Sequence, residues 1–285
     1  MMRTITEPDE MREHARAARG AGHSIGFVPT MGALHEGHAS LLRRARRECG
    51  YVVASILVNP AQFGPTEDLA AYPRTLDADI ALLERIECDA LFHPDAAAMY
   101  PEPYRTWVNV EGLDNVLCGA ARPGHFRGVA TVVLKLIHIV EPDVAWFGQK
   151  DAQQAALIAA MARDLNLACR IERAPTVREP DGLAMSSRNV FLSTAERAAA
   201  PAIFRALQSA QQAHAGGERA AEMLLDRARG VIAAEPLLSI DYLELVDPDD
   251  LTALNGPVTG RALLAVAVRV GSTRLIDNIV LQAGN

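Results

Sequence analysis

The chain has 285 residues, with 28 Lys+Arg against 35 Asp+Glu and a formal net charge of −7. Hydrophobic residues make up 49% and charged residues 22%, which excludes wholesale disorder and suits one large domain or two ordinary ones. The acidic balance argues against a broad nucleic-acid surface, and no apolar run approaches the ~20 residues that span a bilayer, so neither nucleic acid nor membrane is an expected partner.

Residues 1–20 carry Glu7, Asp9, Glu10 and Glu13 with no apolar segment, so no secretory signal is expected there. Cys49, Cys88, Cys118 and Cys169 lie far apart with no C-x-x-C pair, the pattern of reduced, buried thiols in a cytoplasmic protein. Lys135 and Lys150 are the only two lysines among the 28 basic residues. A lysine kept against that bias marks a place where a compact ammonium serves and a guanidinium fork does not.

The first two-thirds alternates strand and helix patterns. Strands are expected at 24–30, 51–58, 90–93, 144–147 and 168–172, with a further extended piece at 106–110. Helices are expected at 35–48, 75–87, 127–140 and 152–165. Strands separated by ten-to-fifteen-residue helices predict βαβ units and a Rossmann-like parallel sheet, which binds ligands at the carboxyl ends of its strands. Chemistry is therefore expected just after Val28, Val58 and Phe147. The pattern changes near residue 176. Helices at 194–213 and 218–234 are followed by extended runs at 239–246, 261–270 and 273–281, the last two joined by a Gly271-Ser272 hairpin signal. The fold expected is α/β: a Rossmann-like domain over 1–175 and a smaller C-terminal α+β lid domain over 176–285.

Four segments carry candidate chemistry. Pro29-Thr-Met-Gly-Ala-Leu-His35-Glu-Gly-His38 joins the first strand of the pattern to a helix. His35 and His38 lie three apart on one face at a helix N-terminus, where two imidazoles suit phosphate oxygens and Gly37 leaves room for a ligand against the backbone. A surface histidine is the commoner reading of either alone. Zinc lacks a third ligand nearby, and a P-loop fails because His38 and Ala39 stand where Lys and Ser/Thr are needed. After the next strand, Asn59-Pro-Ala-Gln62 offers amide donor and acceptor together. Arg122-Pro-Gly-His125 is a basic loop entering a helix. Gly148-Gln149-Lys150-Asp151 follows another strand, with Gln154 one helical turn on. Met185-Ser186-Ser187-Arg188 lies in the inter-domain loop, where two hydroxyls and an Arg suit triphosphate oxygens. Three of these segments fall where the sheet argument placed the site, which favours a nucleotide enzyme over a structural protein.

VPTMGALHEGH, ILVNPAQF, DLAAYPRT, RPGHFRGVATVVLKL, FGQKDAQQ, DGLAMSSRNVFLS and RLIDN, in this order, resemble the pantothenate synthetase (pantoate–β-alanine ligase) family over essentially the full length. The resemblance implies a cytoplasmic homodimer that condenses pantoate with β-alanine through a pantoyl adenylate, using ATP and Mg²⁺. It implies ATP contacts from Met31, Gly32, Ala33, Leu34, His35, Glu36, Gly37 and His38, from Gly148 to Asp151, from Val177, and from Met185 to Arg188. His38 would be the proton donor, with His35 and Lys150 on the phosphates. Gln62 and Gln154 would hold pantoate, Gln62 would also help place β-alanine, and Asn59, Arg122 and His125 match positions near these substrates. Gln149, Ala152, Cys118 and Ala121 depart from the family's usual residues, and Ala78 does so at a place that is often acidic, which leaves the neighbouring Asp79 as the candidate carboxylate for Mg²⁺. The rival function is a nucleotidyltransferase that forms no amide.

Overall fold

A computed structural model of the chain describes residues 2–65 and 67–282. It divides into two compact units, one of Met1–Asn115, Gly119–Gly148 and Leu157–Pro175, the other of Val116–Cys118, Gln149–Ala156 and Thr176–Asn285. Residues 149–156 thus cluster with the C-terminal unit although they directly follow a strand of the first.

The first unit is built on six parallel strands: β1 (Arg3–Ile5), β2 (Ile25–Thr30), β3 (Tyr51–Ile56), β4 (Ala90–Phe92), β5 (Val144–Gly148) and β6 (Arg170–Ala174), in the order β1-β4-β3-β2-β5-β6. Ile25 to Val28 are all buried, as are Val52 to Ile56, so both faces of the central strands are covered. The helix Glu36–Glu48 packs on β2, β3 and β5 through Leu41, Leu42 and Ala45, which meet Val28, Val52 and Trp146 in one core cluster. The helices Pro8–Gly20 and His125–Val140 pack on one another and on β2. Strand order reverses between β2 and β5, and the crevice at the carboxyl ends of those strands is where such sheets take ligands.

Three local expectations change. The helix Pro8–Gly20 and the three-residue edge strand β1 were not expected. The helix is nonetheless explained by Pro8 in its first turn, Asp9 and Glu10 beside its positive end, and Met11, Ala15 and Ala18 buried along one face. Residues 106–110 join no strand, and the Val108 N–H donates to Thr131 Oγ1 on the helix His125–Val140 instead. The helix expected over 194–213 is two, Thr194–Ala199 and Ala202–Ala215, because Pro201 has no N–H for an intrahelical bond and its ring crowds the carbonyl four residues back.

The C-terminal unit carries an antiparallel sheet of β7 (Leu238–Val246), β8 (Ala262–Val270) and β9 (Thr273–Leu281), with β8 in the middle. Gly271, with φ 58°, supplies the tight turn of the β8–β9 hairpin. The helices Ala202–Ala215 and Ala221–Ala233 close its core, where Ile203, Leu207, Leu224 and Ile232 meet Leu264, Val266 and Val268.

Candidate active site

The turn after β2 is organised by a buried carboxylate. Asp79, 2% exposed on the helix Leu76–Arg85, accepts from Ala33 N (3.0 Å), Leu34 N (2.8 Å) and Thr75 Oγ1 (3.2 Å). Gly32 and Ala33 both take left-handed backbone conformations, φ 85° and 50°. Such a turn gathers successive N–H groups into an anion-binding concavity. Here the anion is the protein's own carboxylate. The Ala33 and Leu34 amides, expected to contact ATP, therefore point at Asp79, and Asp79, expected beside Mg²⁺, has its oxygens on three protein donors. Asp79→Ala should lower stability by on the order of 1–3 kcal/mol for each buried amide left unpaired, read as a lower thermal midpoint without ligand. An unchanged midpoint with a raised Mg²⁺ requirement would instead make Asp79 a metal-site residue.

The helix that follows is capped by imidazoles. His35 Nδ1 accepts from Gly37 N (3.1 Å), and His38 Nδ1 accepts from the His35 N–H (3.3 Å). The two form a reciprocal capping box of the kind usually made by Ser and Glu. An amide N–H can only donate, so each ring accepts at Nδ1 and carries its proton at Nε2. The ring centroids are 4.2 Å apart. The room at Gly37, expected to admit a ligand, is filled by His35 itself: a Cβ there would lie 2.7 Å from His35 Cε1.

After β3, Asn59 caps the 3₁₀ turn Pro60–Gln62 by accepting from Ala61 N (3.3 Å). Its Nδ2 donates to Gln62 Oε1 (2.9 Å) and to Gly128 O (3.2 Å), and its Oδ1 also accepts from Tyr100 Oη (2.7 Å). Gln62 Nε2 lies 3.1 Å from Met31 Sδ. The Gln62 oxygen thus already accepts one bond within the fold, from Asn59. Gly128 brings the helix His125–Val140 against this turn: a Cβ there would lie 2.2 Å from Ala61 O and 2.7 Å from Gln62 N.

Arg122 and His125 sit behind Gln62. Arg122 grips Glu67 in a two-pronged pair (Nε–Oε1 2.7 Å, Nη2–Oε2 2.5 Å), and this holds the Glu67 carboxyl below its usual range. Arg122 Nη1 lies 3.0 Å from His125 Nε2, and His125 Nδ1 2.8 Å from Gln62 O. A guanidinium can only donate, so His125 accepts at Nε2 and donates from Nδ1. The basic loop expected to receive an anion is thus neutralised by Glu67 and supports the Gln62 backbone.

In the C-terminal unit, Gln149 to Asp151 form a 3₁₀ turn clasped by Asn278. Asn278 Nδ2 donates to Gln149 O and to Lys150 O, both at 2.9 Å, and its Oδ1 accepts from Gln149 Nε2 (3.1 Å). Next to it, the buried Asp277 is paired at two points with Arg178 (2.6 and 2.9 Å). Burial pushes the Asp277 carboxyl up, against the opposing pull of Arg178. Gln153 is tied to Cys118 N and Val116 O, whereas Gln154, on the first turn of the helix Ala152–Asp164, is only half-buried. Val177 O accepts from Met185 N (3.0 Å), which closes a small hairpin. Ser186 Oγ accepts from Arg188 N (3.2 Å) and caps the 3₁₀ helix Ser187–Phe191. Lys150 and Ser186 line one small pocket with Ala184 and Asp277.

Comparison with known proteins decides what this arrangement belongs to. The model of the family described as pantoate-beta-alanine ligase matches residues 3–280. The chain is 54% identical to the pantothenate synthetase of Pelotomaculum thermopropionicum, over 95% of this chain and 96% of that protein. It is 55% identical to that of Roseiflexus sp. strain RS-1, over 99% and 100%. This chain belongs to the pantoate–β-alanine ligase family. The crystal structure of pantothenate synthetase from Thermus thermophilus superposes with a TM-score of 0.91 at 46% identity, covering 98% of this chain and 99% of that one. The crystal structure of the pantoate-beta-alanine ligase from Francisella tularensis, complexed with beta-gamma ATP and beta-alanine, superposes with a TM-score of 0.81 at 32% identity, covering 100% and 99%. The α/β fold expected from the pattern, a parallel sheet with a smaller α+β part, is that of this ligase family.

Four residues that organise these candidate segments of the ligase, each within its own unit, were not expected to matter: Glu67, Tyr100 and Gly128 in the first and Asn278 in the second. Gly128 and Asn278 lie inside motifs that carried the family resemblance, so a signal existed. Glu67 and Tyr100 act on Arg122 and Asn59 from 55 and 41 residues away, and no local pattern reveals such a pairing.

Proposed function

We propose that this ligase joins pantoate to β-alanine at the expense of ATP. The pantoate carboxylate attacks the α-phosphorus of ATP, giving pantoyl adenylate and pyrophosphate. The β-alanine amine then attacks the acyl carbon and AMP leaves, giving pantothenate. A carboxylate is a poor electrophile, and adenylation turns its oxygen into a good leaving group. The observation that carries this reading is the pair of imidazoles at the carboxyl edge of β2, each with its proton at Nε2 and so suited to donate to phosphate oxygens as charge grows on them.

In this reading His38 is the proton donor and His35 assists on the phosphates. Met31, Gly32, His35, Glu36 and His38, Gly148 to Asp151, Val177 and Met185 to Arg188 contribute the ATP contacts, while Ala33 and Leu34, held by Asp79, and Gly37, packed on His35, shape the turn that carries them. Gln62 and Gln154 take pantoate, with Asn59, Arg122 and His125 supporting that site. Among the described residues no group of three or more His, Cys, Asp or Glu could hold a metal ion. Mg²⁺ therefore fits as an ion carried by the ATP phosphates and their waters, its usual mode, rather than in a protein cage. A homodimer and a cytoplasmic location complete the proposal. In support of the latter, all four cysteines are free and buried.

Purified protein incubated with Mg·ATP and pantoate, with and without β-alanine, tests the reading by mass spectrometry. Pantothenate and AMP should form one-for-one only when both co-substrates are present. Pyrophosphate without amide under all conditions would mark a nucleotidyltransferase. Lys150→Arg should lose most activity although the charge is kept, because a planar fork does not replace a point ammonium. Near-normal turnover in a steady-state assay would remove Lys150 from the phosphate role.

A further inference from the structure

Tyr100 has no place in the roles above, yet it stands at the head of a directed hydrogen-bond chain that ends on Gln62. The direction of the chain is set by groups of fixed polarity. Ala61 N–H can only donate, so the Asn59 side-chain atom beside it is the oxygen; Gly128 O can only accept, so the atom beside it is the nitrogen. Tyr100 Oη meets that oxygen at 2.7 Å and donates to it. Burial pushes the Tyr100 phenol up, away from the phenolate that could not donate. Asn59 Nδ2, turned the other way, donates to Gln62 Oε1 at 2.9 Å. The Gln62 oxygen is therefore fixed inward on Asn59, which is 1% exposed, and the NH₂ group is left on the side of Met31 Sδ, a weak acceptor that an oxygen can displace.

We propose that Tyr100 is a positioning residue that, by donating to Asn59 Oδ1, braces the Asn59 amide in the place from which its Nδ2 orients the Gln62 amide, so that Gln62 meets its ligand as a hydrogen-bond donor and selects an oxygen acceptor, a hydroxyl or carboxylate oxygen of the acid substrate. This rests on the reading that pantoate is that substrate. An amide free to flip offers either end and loses half of each encounter. An amide held in one sense is organised before the acid arrives.

Steady-state and pyrophosphate-release kinetics on wild type, Tyr100→Phe, Gln62→Ala and the double variant test this. Tyr100→Phe removes one hydroxyl and keeps the ring. It should raise the pantoate KM about three- to tenfold, the effect of one lost net hydrogen bond, with kcat and the ATP KM within about twofold. In the Gln62→Ala background the same change should add nothing, because the amide it orients is gone. An unchanged pantoate KM in Tyr100→Phe, or an equal further loss in the double variant, would overturn the assignment. Asn59→Asp gives an independent measure should Tyr100→Phe not fold. It keeps the acceptor but has no N–H to hold the Gln62 oxygen, so the pantoate KM should rise by at least as much, and a wild-type KM there would also overturn it. Wild-type protein that releases no pyrophosphate with pantoate would fail the substrate reading instead, and is separable from these outcomes.

Discussion

His38→Ala should lower kcat by about 10²–10³, the scale of removing one preorganised donor to developing charge. The loss should fall on adenylation, measured as pantoate-dependent pyrophosphate release in a single turnover, and not on amide formation from supplied pantoyl adenylate. Part of the damage is structural, because His38 Nδ1 accepts the His35 N–H and its removal opens the capping box. That part is of cap size, about 0.5–2 kcal/mol of stability. His38→Asn separates the two contributions: a short amide oxygen restores an acceptor near the helix start without restoring a ring Nε2–H. Stability should recover and the rate should not. A folded His38→Ala protein with wild-type adenylation would remove the imidazole from the chemistry.

Gly128→Ala should be a strongly damaging single-methyl change. Exposed helix interiors gain about 0.8–1 kcal/mol when Gly becomes Ala, so propensity alone predicts stabilisation. The packing argues the reverse. The added Cβ would lie 2.2 Å from Ala61 O and 2.4 Å from Ala61 C, and these are backbone atoms that no rotamer change can move. Overpacking of this kind costs about 1–3 kcal/mol, so a net loss is expected, with the thermal midpoint down by several degrees. The turn that must give way carries Asn59 and Gln62, so the pantoate KM should rise at least about tenfold, since more than one hydrogen bond is displaced. Gly230→Ala is the matched control. It lies in the helix Ala221–Ala233 with nothing within 4 Å of its added Cβ, and should stabilise the protein by up to about 1 kcal/mol. Equal midpoints for the two variants would show that the close approach at Gly128 is not limiting.

Much of this molecule was legible without coordinates. Period and punctuation located five of the six parallel strands and the three antiparallel ones, because buried strands read as short apolar runs bounded by Pro, Gly and Asn. The alternation of strand and helix required a parallel sheet, and such a sheet predicts chemistry after β2, β3 and β5. Local signals failed where the decisive contact was not local. The edge strand β1 is three residues long and is stabilised by β4, 85 or more residues away, and residues 106–110 have strand character but meet a helix instead of a sheet edge.

The sequence by itself determined the order of most of the elements, the fold class and the polar residues available to the site, because periodicity, turn chemistry and residue type are local properties. Only the tertiary structure decided what each polar residue faces. Asp79 meets the Ala33 and Leu34 amides, Arg122 meets Glu67, and the Gln62 oxygen meets Asn59, so groups that looked open to ligands are paired within the fold. The physical reason is that a buried donor or acceptor must find a partner, and which partner it finds depends on segments brought together from distant parts of the chain.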